Sequence, residues 1–192
     1  MSNGLGIQIK KRNGSSVPLD INKIHFVVEE ACEGLHGVSS SQIEMKGNIQ
    51  FYDGMSTAEI QEILVKSAND LISLEAPNYQ FAAARLLLYP IYKESFGQYA
   101  PISLYDVIRR NIDRGVYDAN ILEKYTEDEL QTLNKYIKHK RDENFTYAGL
   151  RQVVDKYLVQ DRSSDCGHSV CRVSRSYTYA ICKEILRCDF PF

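Results

Sequence analysis

What this 192-residue chain lacks narrows its function first. It has no charge excess: 23 Lys and Arg against 25 Asp and Glu leave a formal net charge of −2. A chain so balanced exerts no long-range pull on nucleic acid or on an anionic membrane. No apolar run approaches the roughly 20 residues that cross a bilayer. No secretory signal opens the chain, which points to the cytoplasm. No cysteine precedes Cys32, and the other four, Cys166, Cys171, Cys182 and Cys188, all lie beyond residue 165. In the cytoplasm these are expected to be reduced thiols. Internal repeats and low-complexity segments are absent as well. What remains, 44% hydrophobic and 25% charged residues, is the composition of an ordinary globular protein.

The organising stretch is the beginning. Ile7 and Ile9 alternate with polar residues, the pattern of a half-buried strand. Asn13-Gly14 predicts a hairpin with a type I′ turn, which needs positive φ at both central positions. Pro18 confines the short return strand to a sheet edge. Asp20 suits a helix N-cap, and Ile24, Val27, Val28, Ala31, Cys32 and Leu35 follow the rhythm of one buried helix face. Lys10, Lys11 and Arg12 thus sit on a hairpin beside a helix start, with Lys23 one turn further on. Free amides, the positive end of a helix dipole and nearby cations suit an anion. The same residues also read as a solvated turn that merely repels aggregation.

Downstream, the spacing predicts a second helix from about 41 to 50, carrying Ile43 and Ile49 and weakened by ~1 kcal/mol at Gly47. Asp53-Gly54 is a turn. Ser56-Thr57-Ala58-Glu59 is a capping box opening a helix expected to bury Ile60, Ile63, Leu64, Leu71 and Ile72. After a break at 75–78, the helix from Tyr79 is nearly all apolar and is the expected heart of the core. Pro90 is expected to kink or end it. Around residues 97–101 the chain changes character. Three more helices follow, marked by Leu104, Val107, Ile108 and Ile112, then by a second capping box at Thr126–Glu129 with Leu130, Leu133 and Ile137, then by Leu150, Val153, Val154, Tyr157 and Leu158. The fold class is mainly α with one small β-hairpin.

Several of these segments together resemble a known family. Lys11-Arg12-Asn13-Gly14, Leu19-Asp20-Ile21-Asn22-Lys23-Ile24, Ala31-Cys32-Glu33-Gly34-Leu35 and Ile49 to Thr57 match the ATP cone, the allosteric nucleotide-binding domain of class I ribonucleotide reductase large subunits. Ala76 to Gln80, Ala83-Ala84-Arg85-Leu86, Phe96-Gly97-Gln98-Tyr99, Gly115 to Asp118 and Lys156 to Val159 extend the match to about residue 162, with the enterobacterial and bacteriophage type most similar. The resemblance implies an arm at 1–6, a hairpin-plus-four-helix cone at 7–97, and helices at 98–162 that begin the reductase α/β barrel domain. A divergent cysteine-rich tail occupies 163–192.

The resemblance also implies a ligand, ATP or dATP, at Lys11, the run Val17, Pro18, Leu19, Asp20, Ile21, Asn22 and Lys23, and Thr57 and Lys93. The chemistry of these residues fits. Lys11 and Lys93 can neutralise phosphate, Thr57 opens a helix, and the turn from Asp20 to Lys23 can bond base or ribose. Val17 stands where the enterobacterial relative has an acidic residue and Pro18 where it has a basic one, departures that bear on base discrimination.

The family's catalytic cysteines lie on the barrel, beyond the matched stretch. By resemblance this chain is the first piece of a split large subunit, inactive alone. Its expected partners are a separate barrel polypeptide, the reductase small (beta) subunit and a nucleoside triphosphate. A barrel's opening helices have no core of their own, so exposed apolar faces are expected after Leu104. A free-standing ATP-binding module without an enzyme role is the alternative. No metal is expected: Cys166-Gly167-His168-Ser169-Val170-Cys171 fits no common zinc spacing. A bacterial regulator of reductase genes places a zinc ribbon before its cone. The lack of cysteine before Cys32 disfavours that reading, and with it DNA binding.

Overall fold

A computed structural model describes residues 6–156 and residue 158. Expectations placed on residues 1–5, on Tyr157 and on 159–192, including the cysteine cluster, lie outside the described residues. The described chain is mainly helical, with one two-stranded antiparallel sheet. It forms two compact units. One runs to Pro90 and takes back Glu143–Leu150; the other comprises Ile91–Asp142 and the described residues from Arg151.

The first unit opens with β1 (Gln8–Lys10) and β2 (Ser16–Pro18), paired with Ile9 opposite Val17. The turn between them is not the two-residue type expected. The Gly14 amide donates to the Lys11 carbonyl at 2.9 Å, and the Lys11 amide donates to the Ser15 carbonyl at 2.9 Å. Gly14 has φ +82°. That pattern is a turn centred on Arg12 and Asn13, closed by a left-handed glycine that forms a bulge. Asn13 Oδ1 stabilises it by accepting from the Ser15 amide and hydroxyl, at 3.1 and 2.7 Å.

Helix α1 (Ile21–Cys32) begins at the Asp20 cap, whose side chain accepts from the Asn22 amide, and buries Ile24, Val28 and Ala31. Helix α2 (Ser40–Asn48) buries Ile43. It ends one residue short of Ile49, which is 82% exposed and not part of the core. Gly47 lets α2 approach α3 closely: a Cβ there would stand 3.2 Å from Leu64 Cδ2. Helix α3 (Thr57–Asn69) starts on the expected capping box and buries Ile60, Leu64, Val65, Ser67 and Ala68. Leu71 and Ile72 lie past its end, and Ile72 is exposed.

Helix α4 (Tyr79–Phe96) carries the most buried stretch, Ala82 to Leu88 with only Arg85 half-exposed. It is neither ended nor interrupted at Pro90. Proline removes the amide that would have bonded the Leu86 carbonyl. Gln61 of α3 supplies the missing donor, its Nε2 lying 2.8 Å from that oxygen. Arg85 of α4 gathers three backbone carbonyls. Its guanidinium donates to Ala31 and Glu33 at the end of α1, at 3.3 and 2.6 Å, and to Glu143 of the returning segment at 3.4 Å.

In the second unit, α5 (Leu104–Asp113) is followed by the short α6 (Asn120–Lys124) and α7 (Glu127–Asn134). A 3-10 turn, His139–Asn144, starts in this unit and runs into the returning segment of the first, and α8 (Tyr147–Lys156) starts in the first and ends in the second. Helix α7 opens on the expected Thr126–Glu129 capping box. Phe96, Leu104, Val107, Ile108 and Leu130 pack into one buried cluster, ringed by half-buried residues such as Tyr105, Ile112 and Leu133. The helices after Leu104 therefore do have a core of their own, contrary to the expectation. The hydroxyl of Tyr92 donates to the buried carboxylate of Asp142 at 2.8 Å, and Asn134 Oδ1 accepts from the Leu104 amide at 2.9 Å.

Candidate functional site

The hairpin is held between two helix starts. The outer edge of β1 bonds to the segment leading into α3. The Lys10 amide donates to Met55 O, and the Gly54 amide to Gln8 O, both at 2.8 Å. The Gln8 amide donates to Asp53 Oδ1 at 2.7 Å. Lys10 forms a parallel bridge with Ser56, so Lys11 runs alongside Thr57, the first residue of α3. Lys11 and Thr57 thereby meet at one corner of the hairpin, its turn end, where Arg12 continues the chain.

The opposite end of the hairpin leads into α1. The Leu19 amide closes the sheet on Ile7 O at 2.9 Å, and Leu19 is buried beneath it. Val17 is half-buried on β2, and Pro18 is exposed. Two strand residues, about 7 Å at ~3.3 Å each, separate the Lys10 rung from the Pro18 rung. Asp20 caps α1, and Lys23 Nζ lies 3.5 Å from its carboxylate. Both side chains are largely exposed, so this pair is weak and can reopen. Ile21 is half-buried at the start of α1, and Asn22 is exposed. Lys93 belongs to the second unit, where its ammonium stands 4.9 Å from the centre of the Tyr99 ring, a cation–π distance.

At the start of α3 the backbone donors are unequally used. Ser56 Oγ accepts from the Glu59 amide at 3.2 Å, and Glu59 returns a carboxylate oxygen to the Ser56 amide at 2.6 Å. The amides of Thr57 and Ala58 keep no partner among the described residues. They are the donors a phosphate oxygen can use. Sequence reasoning identified Glu59 as a cap and not as a charge in the site. Its carboxylate is held below the usual range by the Ser56 amide and hydroxyl and then by the Tyr52 hydroxyl, which donates at 3.0 Å. No sequence signal marked Tyr52, because its partner lies seven residues away across the Asp53-Gly54 turn.

Other titratable groups stand apart from this corner in chemistry. His25 of α1 faces two carboxylates, Glu44 of α2 at 2.8 Å and Glu29 at 3.1 Å. Burial pushes the Cys32 thiol up to about 11, which makes it a poor nucleophile. No group of three or more metal-binding side chains occurs among the described residues. None of the described helices is long and apolar enough to cross a membrane.

Comparison with known proteins gives this geometry a family. Residues 7–94 match the model of the ATP cone domain. The chain is 46% identical over 154 residues to the ribonucleoside-diphosphate reductase 1 subunit alpha of Escherichia coli K12, covering 80% of this chain and 20% of that protein. It is 41% identical over 156 residues to the subunit alpha of Haemophilus influenzae, covering 81% of this chain and 21% of that protein. It is 41% identical over 160 residues to the subunit alpha of Enterobacteria phage T4, covering 82% and 21%. The chain thus spans about a fifth of the length of these relatives. Residues 7–94 belong to the ATP-cone family, and the chain matches the amino-terminal portion of class I ribonucleoside-diphosphate reductase alpha subunits.

Proposed function

We propose that this chain is the regulatory part of a ribonucleoside-diphosphate reductase large subunit. Its cone binds ATP or dATP as an effector and governs diphosphate reduction carried out on a barrel polypeptide. The reductase small (beta) subunit is the second protein partner. One observation carries the reading: the backbone bonds of Lys10 to Met55 and Gln8 to Gly54 set a cationic turn beside a helix start with two unused amides. Positive charge, helix dipole and free donors converge on the chemistry of a triphosphate.

In this reading Lys11 and the amides of Thr57 and Ala58 take the phosphates, with Thr57 Oγ1 beside them. The run Val17 to Lys23 faces the nucleoside. Asn22 and Asp20 supply the polar groups, and Val17 and Pro18 supply an apolar edge that gives no base-specific bond. The regulatory domain is taken as 7–97, with 98–162 as the opening of the barrel domain. ATP and dATP act by favouring different arrangements of the assembled enzyme, with a coupling of about 1–3 kcal/mol, enough to move most of the activity. The matched stretch of the chain supplies regulation and no catalytic cysteine, so reduction appears only after assembly with the barrel polypeptide.

Calorimetric titration tests the site. ATP is expected to bind the parent chain, and Lys11→Ala to weaken it about tenfold, the value of one charge-assisted contact. Unchanged circular dichroism verifies that the cone still folds. Equal affinities of parent and variant would remove Lys11 from the site. Co-expression with the barrel polypeptide tests the assembly; if neither a complex nor diphosphate reduction follows, the enzyme reading fails.

A second reading, a free-standing ATP-binding module, is favoured by one observation. Helices α5 and α7 bury Leu104, Val107, Ile108 and Leu130 in one cluster that this chain forms from its own residues. It predicts a soluble monomer by analytical ultracentrifugation that binds ATP and shows no affinity for a barrel polypeptide.

A further inference from the structure

A proline in the middle of an 18-residue helix leaves one carbonyl without a partner, and in α4 that carbonyl belongs to Leu86. Leu86 itself is fully buried, so water cannot serve its oxygen cheaply. The only side chain that reaches it among the described residues is Gln61, whose Nε2 donates at 2.8 Å. Gln61 stands one turn past Thr57 on α3, the helix that starts next to the Lys10–Ser56 bridge.

We propose that Gln61 is a positioning residue for effector binding: its amide replaces the donor that Pro90 lacks, keeps α4 helical past that point, and fixes α3 against it. This rests on the effector reading above. One phosphate-facing group depends on the arrangement: Thr57 sits at the head of the helix that Gln61 anchors. A glutamate at position 61 cannot do the same, because a carboxylate has no hydrogen to give and repels the carbonyl. An alanine at position 90 makes Gln61 dispensable for the continuity of α4, because its own amide reaches Leu86 O, but not for the tie to α3.

The test is a set of four variants of the full chain: Gln61→Ala, Gln61→Glu, Pro90→Ala and the double variant Gln61→Ala with Pro90→Ala. ATP affinity is read by calorimetry, and helix opening by hydrogen exchange at the amides of residues 91–94. Gln61→Ala and Gln61→Glu are expected to weaken ATP about threefold to tenfold, the value of one hydrogen bond, and to speed exchange at 91–94. Pro90→Ala alone is expected to leave affinity within twofold of the parent, and the double variant to return exchange at 91–94 to the parent's values while its affinity stays weakened, because the restored backbone amide replaces the helix bond and not the tie to α3. Recovery of exchange without recovery of affinity is the signature a merely space-filling glutamine does not give. Unchanged affinity in Gln61→Ala, or failure of the double variant to recover its exchange rates, overturns the proposal. If the parent chain binds no ATP, the effector reading falls and the positioning role falls with it. The exchange rates then still decide whether Gln61 splints the helix.

Discussion

His25 shows how a single side chain can tie two elements together. Its Nδ1 meets Glu44 of α2 and its Nε2 meets Glu29 one turn along α1. The bond to Glu44 and then its charge raise the imidazole's affinity for a proton above its ordinary value of 6.5. A group whose folded pKa is raised stabilises the fold fully below its unfolded value. That contribution disappears as the pH climbs through the folded value. Thermal melts across neutral pH are expected to show the parent gaining on His25→Gln as the pH falls toward 6.5 and losing the advantage above the raised value. The side chain is exposed, so added salt is expected to shrink the difference. Parallel pH curves for the two proteins would show that the contacts do not couple to folding. At this scale much was legible beforehand. Asp20 and Ser56 were read as caps from their type and spacing, and both are caps. The partnership of His25 with Glu44 is not legible in the sequence, because nothing local links residues 19 positions apart.

At the scale of elements, Gly47 poses a contest of two magnitudes. Within a helix, alanine is favoured over glycine by ~1 kcal/mol. The new methyl, however, would stand 3.2 Å from Leu64 Cδ2 and 3.6 Å from Ser67 Oγ. Leu64 is 1% exposed and has nowhere to retreat. Overpacking of a filled core costs about 1–3 kcal/mol, so the clash outweighs the propensity. Gly47→Ala is therefore expected to lower stability by up to about 2 kcal/mol in urea denaturation; a gain in stability would show that α2 and α3 can move apart at no cost. The elements also show what periodicity can and cannot reveal. Capping boxes at Ser56 and Thr126 are local chemistry and were readable. The passage of α4 through Pro90 depends on Gln61, 25 residues earlier in sequence than the carbonyl it serves, and was not. The hairpin was readable, but its turn type was not. Asn13-Gly14 admits both turns, and the Gly14–Lys11 bond selects the longer one.

The described residues form two compact units, and each can be tested separately. Leu130 is fully buried among Phe96, Leu104, Val107 and Ile108. Truncating such a side chain costs about 2–5 kcal/mol. Leu130→Ala is expected to accelerate hydrogen exchange across α5 and α7 while the amides of α3 keep their protection. Equal acceleration in both regions would mean that the two units unfold as one. The candidate effector corner lies in the first unit, so ATP is expected to protect α3 in the variant as in the parent. This second core escaped the sequence reading. The family resemblance placed these helices as the opening of a larger barrel and suggested nothing about how they pack without it.

The return of Glu143–Leu150 to the first unit has a practical consequence for anyone wishing to transplant the cone. A cassette cut after residue 97 would carry Arg85 but leave behind Glu143, whose carbonyl is one of the three that accept from the guanidinium. The portable sensor is thus a body assembled from two stretches of chain, and a graft that preserves its packing must bring the later stretch along.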